Sequence, residues 1–207
     1  MVEFDVRKTK DGVFIVYHDE RIQGRLVREL TYESIRRICR DQGFNVPTVE
    51  EFLNYAKGKI KLDVELKEEG YEKDVVELIL KYFKGDEFII TSFNDRSLKV
   101  IKEGYPNIKV GLLLVGRLGS VTSTGLLELF FERYTSSKAD ILLPHWKLLT
   151  SEFLKRIEKD SIPVFTWTIN EEKLMWELLK DRRIHGIITD KPDLAVRLRN
   201  LLYRHQN

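Results

Sequence analysis

Apolar and polar side chains alternate from the first residues: Val2, Phe4 and Val6 fall on one side of an extended segment, Glu3, Asp5 and Arg7 on the other. On a half-exposed antiparallel strand such a polar side simply meets water, whereas in a parallel barrel both sides are covered. Fold class therefore decides what these carboxylates mean. Lys10-Asp11-Gly12 supplies a turn, and the β-branched run Val13 to Tyr17 is predicted to pair back on the opening strand, leaving His18 at a strand end. Thr31 is placed to cap a helix through about Arg40, with Ile35 and Ile38 on one face. Thr48 and Glu51 have the capping-box spacing ahead of Phe52, Leu53 and Ala56, so a second helix precedes the next strand.

From residue 60 strands and helices alternate. Ile60 to Leu66, Phe88 to Thr91, Ile108 to Val115, Ala139 to Leu143 (stopped by Pro144), Val164 to Ile169 and Ile184 to Thr189 read as strands. The intervening helices run over Val75 to Tyr82, Ser97 to Glu103, Leu126 to Phe131, Glu152 to Lys159 and Glu172 to Lys180. Gly104 is expected as a left-handed cap, Asn170 as a helix N-cap, Ser120 to Thr124 as a loop, and Pro192 as the first turn of a final helix to about Leu202. Seven short strands in βα succession imply parallel pairing with right-handed crossovers. No Gly-rich loop follows the first strand, as a doubly wound sheet would show. The expected fold is an α/β (β/α)8 TIM-type barrel missing its first βα unit, one domain over 1–207.

Composition narrows the function classes. At 207 residues the chain buries a full core, and 35 Lys+Arg against 33 Asp+Glu show no bias towards nucleic acid. The lone Cys39 rules out an internal disulfide and suits the cytoplasm. No apolar run approaches a membrane span, so stable insertion is not expected. Charged residues make up 33% of the chain with few Gln, a balance met in thermophile proteins.

In a barrel the Glu3/Asp5 face points inward, and Asp63, Glu65 and Lys67 repeat the alternation against Leu62, Val64 and Leu66. Like charges buried together need a positive offset. A hard divalent cation, Mg²⁺ or Ca²⁺, provides one; a metal-free network of carboxylates and lysine is the equal alternative on alternation alone. Lys67 suits a phosphate oxygen. His18 is by itself an ordinary structural histidine, but beside a metal-bound phosphodiester it is suited to general acid or base work. His145, His185 and His205 have weaker claims, the last expected to face solvent, and Phe93 and Trp167 end strands where they could wall a pocket or belong to the core.

The opening Glu3-Phe4-Asp5 strand, Thr9-Lys10-Asp11-Gly12, His18-Asp19, Pro47 to Glu51, Val64 to Lys67, Thr91-Ser92-Phe93, Trp167 to Asn170 and Gly186 to Pro192 resemble, in order, the glycerophosphodiester phosphodiesterase family. The resemblance implies hydrolysis of a glycerophosphodiester substrate to an alcohol and glycerol 3-phosphate with a divalent cation. It makes Glu3, Asp5 and Glu65 metal ligands, His18 one of two catalytic histidines, Lys67 a phosphate neighbour, and Phe93 and Trp167 pocket walls. The family's preceding strand with His-Arg-Gly, and its Glu-Asn-Thr helix, lie upstream of the stretch at which this sequence begins. Reduced activity is therefore one expectation. A catalytically inactive phosphodiester- or metal-binding relic, associating with a second copy or a partner through an open barrel edge, is the rival. A phospholipase C type of similar architecture lacks support from basic or long-loop stretches.

Overall fold

The computed structural model describes residues 1–116 and 123–204, and side chains outside 123 and 124. It divides into two compact units, Met1–Val110 and Gly111–Asn207. The predicted loop at 120–124 lies largely, and His205 wholly, outside the described residues.

In the first unit β1 (Val2–Lys8) pairs antiparallel with β2 (Phe14–Val16) in the register Val6 to Val16. The turn between them depends on Gly12, whose φ of 83° suits a residue without Cβ. Thr9 and Asp11 lock it: Thr9 Oγ1 donates to Asp11 Oδ1 at 2.6 Å and accepts from Val13 N. A small hairpin follows, β3 (Arg21–Ile22) and β4 (Arg25–Leu26), turning through Gln23 and Gly24 at φ 48° and 78°. Both central residues have positive φ, the type I′ condition, but Gln is an unusual occupant and the hairpin is unmarked in the sequence.

Thr31 accepts from Ser34 N to start α1 (Tyr32–Asp41), which buries Ile35 and Cys39, while Ile38 is only half-buried. The capping box of Thr48 and Glu51 forms as expected at the head of α2 (Val49–Ala56). Ile15, Ile22, Val27, Leu30, Ile35, Cys39 and Val46 make one apolar cluster, so the hairpin and α1 share a core with β2.

β5 (Leu62–Leu66) lies parallel to β1, placing Glu3 opposite Asp63 and Asp5 opposite Glu65. α3 (Glu72–Leu80) returns the chain to β6 (Phe88–Ser92), again parallel, with Glu65 opposite Thr91. Asn94 caps α4 (Asp95–Gly104) by accepting from Arg96 N and Ser97 N. Gly104 is not the left-handed cap expected: it is the last helical residue, and Tyr105 leaves at φ −138°. Tyr105 precedes Pro106, whose ring disfavours helical backbone on its neighbour and ends the helix without a glycine turn.

β7 (Lys109–Leu114) carries the chain across the boundary. Within the second unit its residues Gly111 to Leu114 pair in parallel with β8 (Ile141–Pro144) after α5 (Ser123–Ser137). Pro144 is the last strand residue rather than a stop before it. α6 (Ser151–Lys159), capped by Thr150, leads to β9 (Phe165–Thr166); α7 (Glu172–Lys180) leads to β10 (Gly186–Ile187), parallel to β9; α8 (Pro192–Arg204) closes the chain. β9 and β10 are shorter than the apolar runs Val164 to Ile169 and Ile184 to Thr189 suggest, because single bridges at Val164 and Trp167 flank β9 in place of a continued ladder. Asn170 is a correction too. Glu171 stands at the N-cap, while the Asn170 amide accepts from Asp190 N at 3.0 Å and Thr189 Oγ1 at 3.1 Å and donates to Asp190 Oδ2. Its side chain has been taken by a loop twenty residues on.

Candidate active site

Period-two alternation on two parallel strands in register assembles the site. Glu3 and Asp5 project from the same side of β1, Glu65 projects from β5 opposite Asp5, and one carboxylate oxygen from each lies within 4.8 Å of the others. Lys67 follows Glu65 on the same face, its Nζ 2.8 Å from Asp5 Oδ1 and 2.6 Å from Glu65 Oε1. Those two oxygens are shielded from water, and the Lys67 ammonium, at hydrogen-bonding distance from both, is the positive charge that meets them.

The electrostatics follow from burial. Burial, then the negative charges of Asp5, Asp63 and Glu65, push the Glu3 carboxyl up to about 8, against the pull of Lys67. Glu3 as a residue is nonetheless exposed, and water screens part of that push; upward is the direction burial and like charges dictate. Burial raises Glu65 as well, opposed chiefly by Lys67 and more weakly by the charge of His18. Burial works against the Lys67 ammonium, yet the proximity of Asp5 and Glu65 outweighs it and holds the lysine above its ordinary value.

Two neighbours escape a reading based on site residues alone. Asp63 is buried beside the cluster, accepting from Thr91 Oγ1 at 2.8 Å, and burial lifts it to about 7 despite that bond. The alternation on β5 already marks Asp63; Thr91 carries no signal before the β5 to β6 register is known. Arg7, third on the polar side of β1, is buried and reaches the backbone of His18.

His18 stands just beyond β2 with its ring 73% exposed and Nδ1 2.8 Å from Asp19 Oδ1. A neutral ring bonded through Nδ1–H leaves Nε2 as the proton acceptor. Phe93 follows β6 and is partly exposed. Trp167 belongs to the second unit, where its Nε1 donates to Leu143 O at 2.7 Å and its ring meets His145 edge-on at 5.1 Å. His145 accepts from Lys147 N, and burial lowers its pKa. His185 Nδ1 accepts from Val164 N, a structural bond. Thus Glu3, Asp5, Glu65 and Lys67 come together in one unit.

The arrangement offers three carboxylate donors, no sulfur or imidazole, with two of their oxygens shielded from water and a single ammonium set against them. That donor set fits a hard divalent cation, which would offset the like charges more fully than one lysine. Among the described residues no helix is long and apolar enough to cross a membrane.

The profile of the glycerophosphoryl diester phosphodiesterase family matches residues 1–194. A glycerophosphodiester phosphodiesterase of Caldanaerobacter subterraneus subsp. tengcongensis is 28% identical over 220 residues, covering 95% of this chain and 84% of that protein. The crystal structure of a glycerophosphodiester phosphodiesterase from Parabacteroides distasonis superposes with a TM-score of 0.76 at 25% identity, over 99% of this chain and 84% of that one. A phosphodiesterase of Oleispira antarctica, solved in complex with the product sn-glycerol-3-phosphate, gives 0.76 at 21% identity, over 96% and 84%. The fold shared with these structures is the α/β TIM-barrel type.

Proposed function

Because the chain belongs to the glycerophosphoryl diester phosphodiesterase family, a family of phosphoric diester hydrolases, we propose that it hydrolyses glycerophosphodiesters to an alcohol and glycerol 3-phosphate, as one catalytic domain over 1–207. Mg²⁺ or Ca²⁺ held by Glu3, Asp5 and Glu65 is part of this reading; such an ion supplies charge neutralisation at non-bridging phosphate oxygens and lowers the barrier to attack at phosphorus. The observation that carries the proposal is the convergence of those three carboxylates within 4.8 Å.

The residues of the chain take the remaining roles. Lys67 sets its ammonium against Asp5 and Glu65, where it would add a positive charge for a phosphate oxygen. As water oxygen bonds to phosphorus and releases a proton to solvent, the bond from phosphorus to the alcohol oxygen breaks, and that oxygen needs a proton. His18, in its protonated form, delivers it from Nε2 while Asp19 holds Nδ1. Phe93 and Trp167 are assigned as substrate-contacting rings on the family likeness.

Isothermal titration of cation-depleted protein with Mg²⁺ or Ca²⁺ is expected to show binding that Glu65→Ala abolishes; unchanged binding removes Glu65 from the site. Release of glycerol 3-phosphate from glycerophosphocholine tests the reaction. Cation binding with no release from any glycerophosphodiester would leave a binding protein and refute the enzymatic reading.

A further inference from the structure

His18 stands two residues beyond β2 with a ring that faces solvent, so packing does not fix where its Nε2 sits. Its position is set by the backbone of Tyr17 to Asp19, and that backbone is tied to β1 at two points. Tyr17 N donates to Asp5 O at 3.1 Å, and the carbonyl of His18 accepts two bonds from one guanidinium, Arg7 Nε at 3.0 Å and Nη2 at 2.8 Å. Arg7 is only 7% exposed, and a guanidinium that far from water requires an anion. Glu68 provides it, pairing with Nη1 through Oε1.

Glu68 is itself held. The Tyr71 hydroxyl lies 2.8 Å from Glu68 Oε2 and 2.8 Å from Val6 O, and accepts from Glu68 N at 3.1 Å. Burial, with the charge of Glu68, raises the Tyr71 hydroxyl well above its ordinary pKa, so its proton stays available to one of the two acceptors at a time. A partly buried relay therefore runs from Tyr71 through Glu68 and Arg7 to the carbonyl of the histidine.

Resting on the reading of His18 as the proton donor, we infer that Arg7 is a positioning residue for His18, held in its two-donor orientation by Glu68 and Tyr71. Lysine cannot replace it fully, because an ammonium lacks the planar fork that meets one carbonyl with two N–H groups while a third nitrogen faces a carboxylate. Arg7 reaches the reaction only through His18; the carboxylate cluster is independent of it.

A double-mutant cycle tests this. Arg7→Met is expected to lower kcat by about 10²-fold, the scale of a 1 Å misplacement, with KM and cation affinity within about twofold of wild type. Arg7→Lys should recover part of that loss, and Glu68→Gln should show a smaller loss of the same kind. In the His18→Ala background Arg7→Met should cost nothing further. An equal cost in both backgrounds, or a fall in cation affinity that matches the fall in kcat, overturns the inference in favour of a general folding role. If His18→Ala keeps full activity, the role of His18 itself fails. If His18→Ala is inactive and folded Arg7→Met is fully active, only the positioning role fails. The NMR resonance of the His18 ring Cε1–H provides a measurement independent of turnover. It should shift or broaden in Arg7→Lys and Glu68→Gln, and an unchanged resonance in both overturns the inference.

Discussion

Strands β5 and β8 are both parallel and both buried along their whole length, yet they are made of different materials. β5 reads Leu-Asp-Val-Glu-Leu and β8 reads Ile-Leu-Leu-Pro. In β8 every side chain contributes apolar burial. In β5 every second position opposes folding unless charge is balanced, and the raised pKa values of Asp63 and Glu65 report that opposition. For Asp63 the folded value lies above the ordinary 3.8, so the folded chain holds its proton more tightly and stability declines as pH climbs from about 4 towards 7. The first unit thus carries groups that destabilise it locally, and the second does not show them on its strand pair. Such concentration of cost is what a site built for a ligand looks like.

The comparison is broken most forcefully at Lys67. In mildly alkaline buffer without cations, Lys67→Met should destabilise the protein by about 3–5 kcal/mol, since Asp5 and Glu65 are left without their positive partner. Saturating Mg²⁺ should recover much of that loss in denaturant unfolding; no recovery would mean that the carboxylates do not share an ion. The matching change in the second unit, Leu142→Ala in the centre of β8, should cost about 2–5 kcal/mol through a cavity, and Mg²⁺ should leave that cost unaltered. Thr48→Ala, which removes the α2 capping box away from any charged strand, should cost about 1 kcal/mol in the same measurement.

The smallest effect concerns a carboxyl shifted the opposite way. In the second unit the hydrogen bond from Arg183 holds Asp181 below its ordinary 3.8. A depressed folded value means its contribution is present above that pH and lost as the solution is acidified through the folded value. Asp181→Asn should therefore lower stability by about 0.5 kcal/mol at neutral pH and by nothing in strong acid, as read from paired pH titrations of unfolding. An Asp181→Asn penalty that persists in acid would show that charge is not its source.

Much of the geometry of the candidate site was legible because it depends on short-range regularities. Glu3 and Asp5 are two apart, Asp63, Glu65 and Lys67 are two apart, and a parallel pairing without bulges brings the two sets face to face. The Thr48 to Glu51 cap needs only four residues and formed as written. What stayed hidden depends on partners distant in sequence. Nothing near Arg7 signals that its fork will meet the carbonyl of His18, eleven residues on, nor that Glu68 will neutralise it. Asn170 looks like a helix cap locally and serves Thr189 and Asp190 instead. The hairpin at Gln23 and Gly24 lacks the Asn or Asp that usually advertises such a turn. The βα rhythm likewise set the fold class, while the short lengths of β9 and β10 depend on which backbone groups find neighbours.

The alignment of Asp5 with Glu65 has a consequence for how the molecule matures. Sliding β5 by a single position along β1 would turn Glu65 and Lys67 to the opposite side and exchange them for Leu66 and Val64. Only the observed threading therefore brings Glu3, Asp5 and Glu65 together, so the cation binding proposed above would be an all-or-none signature of it: a chain that collapses out of step would have no such cluster to offer.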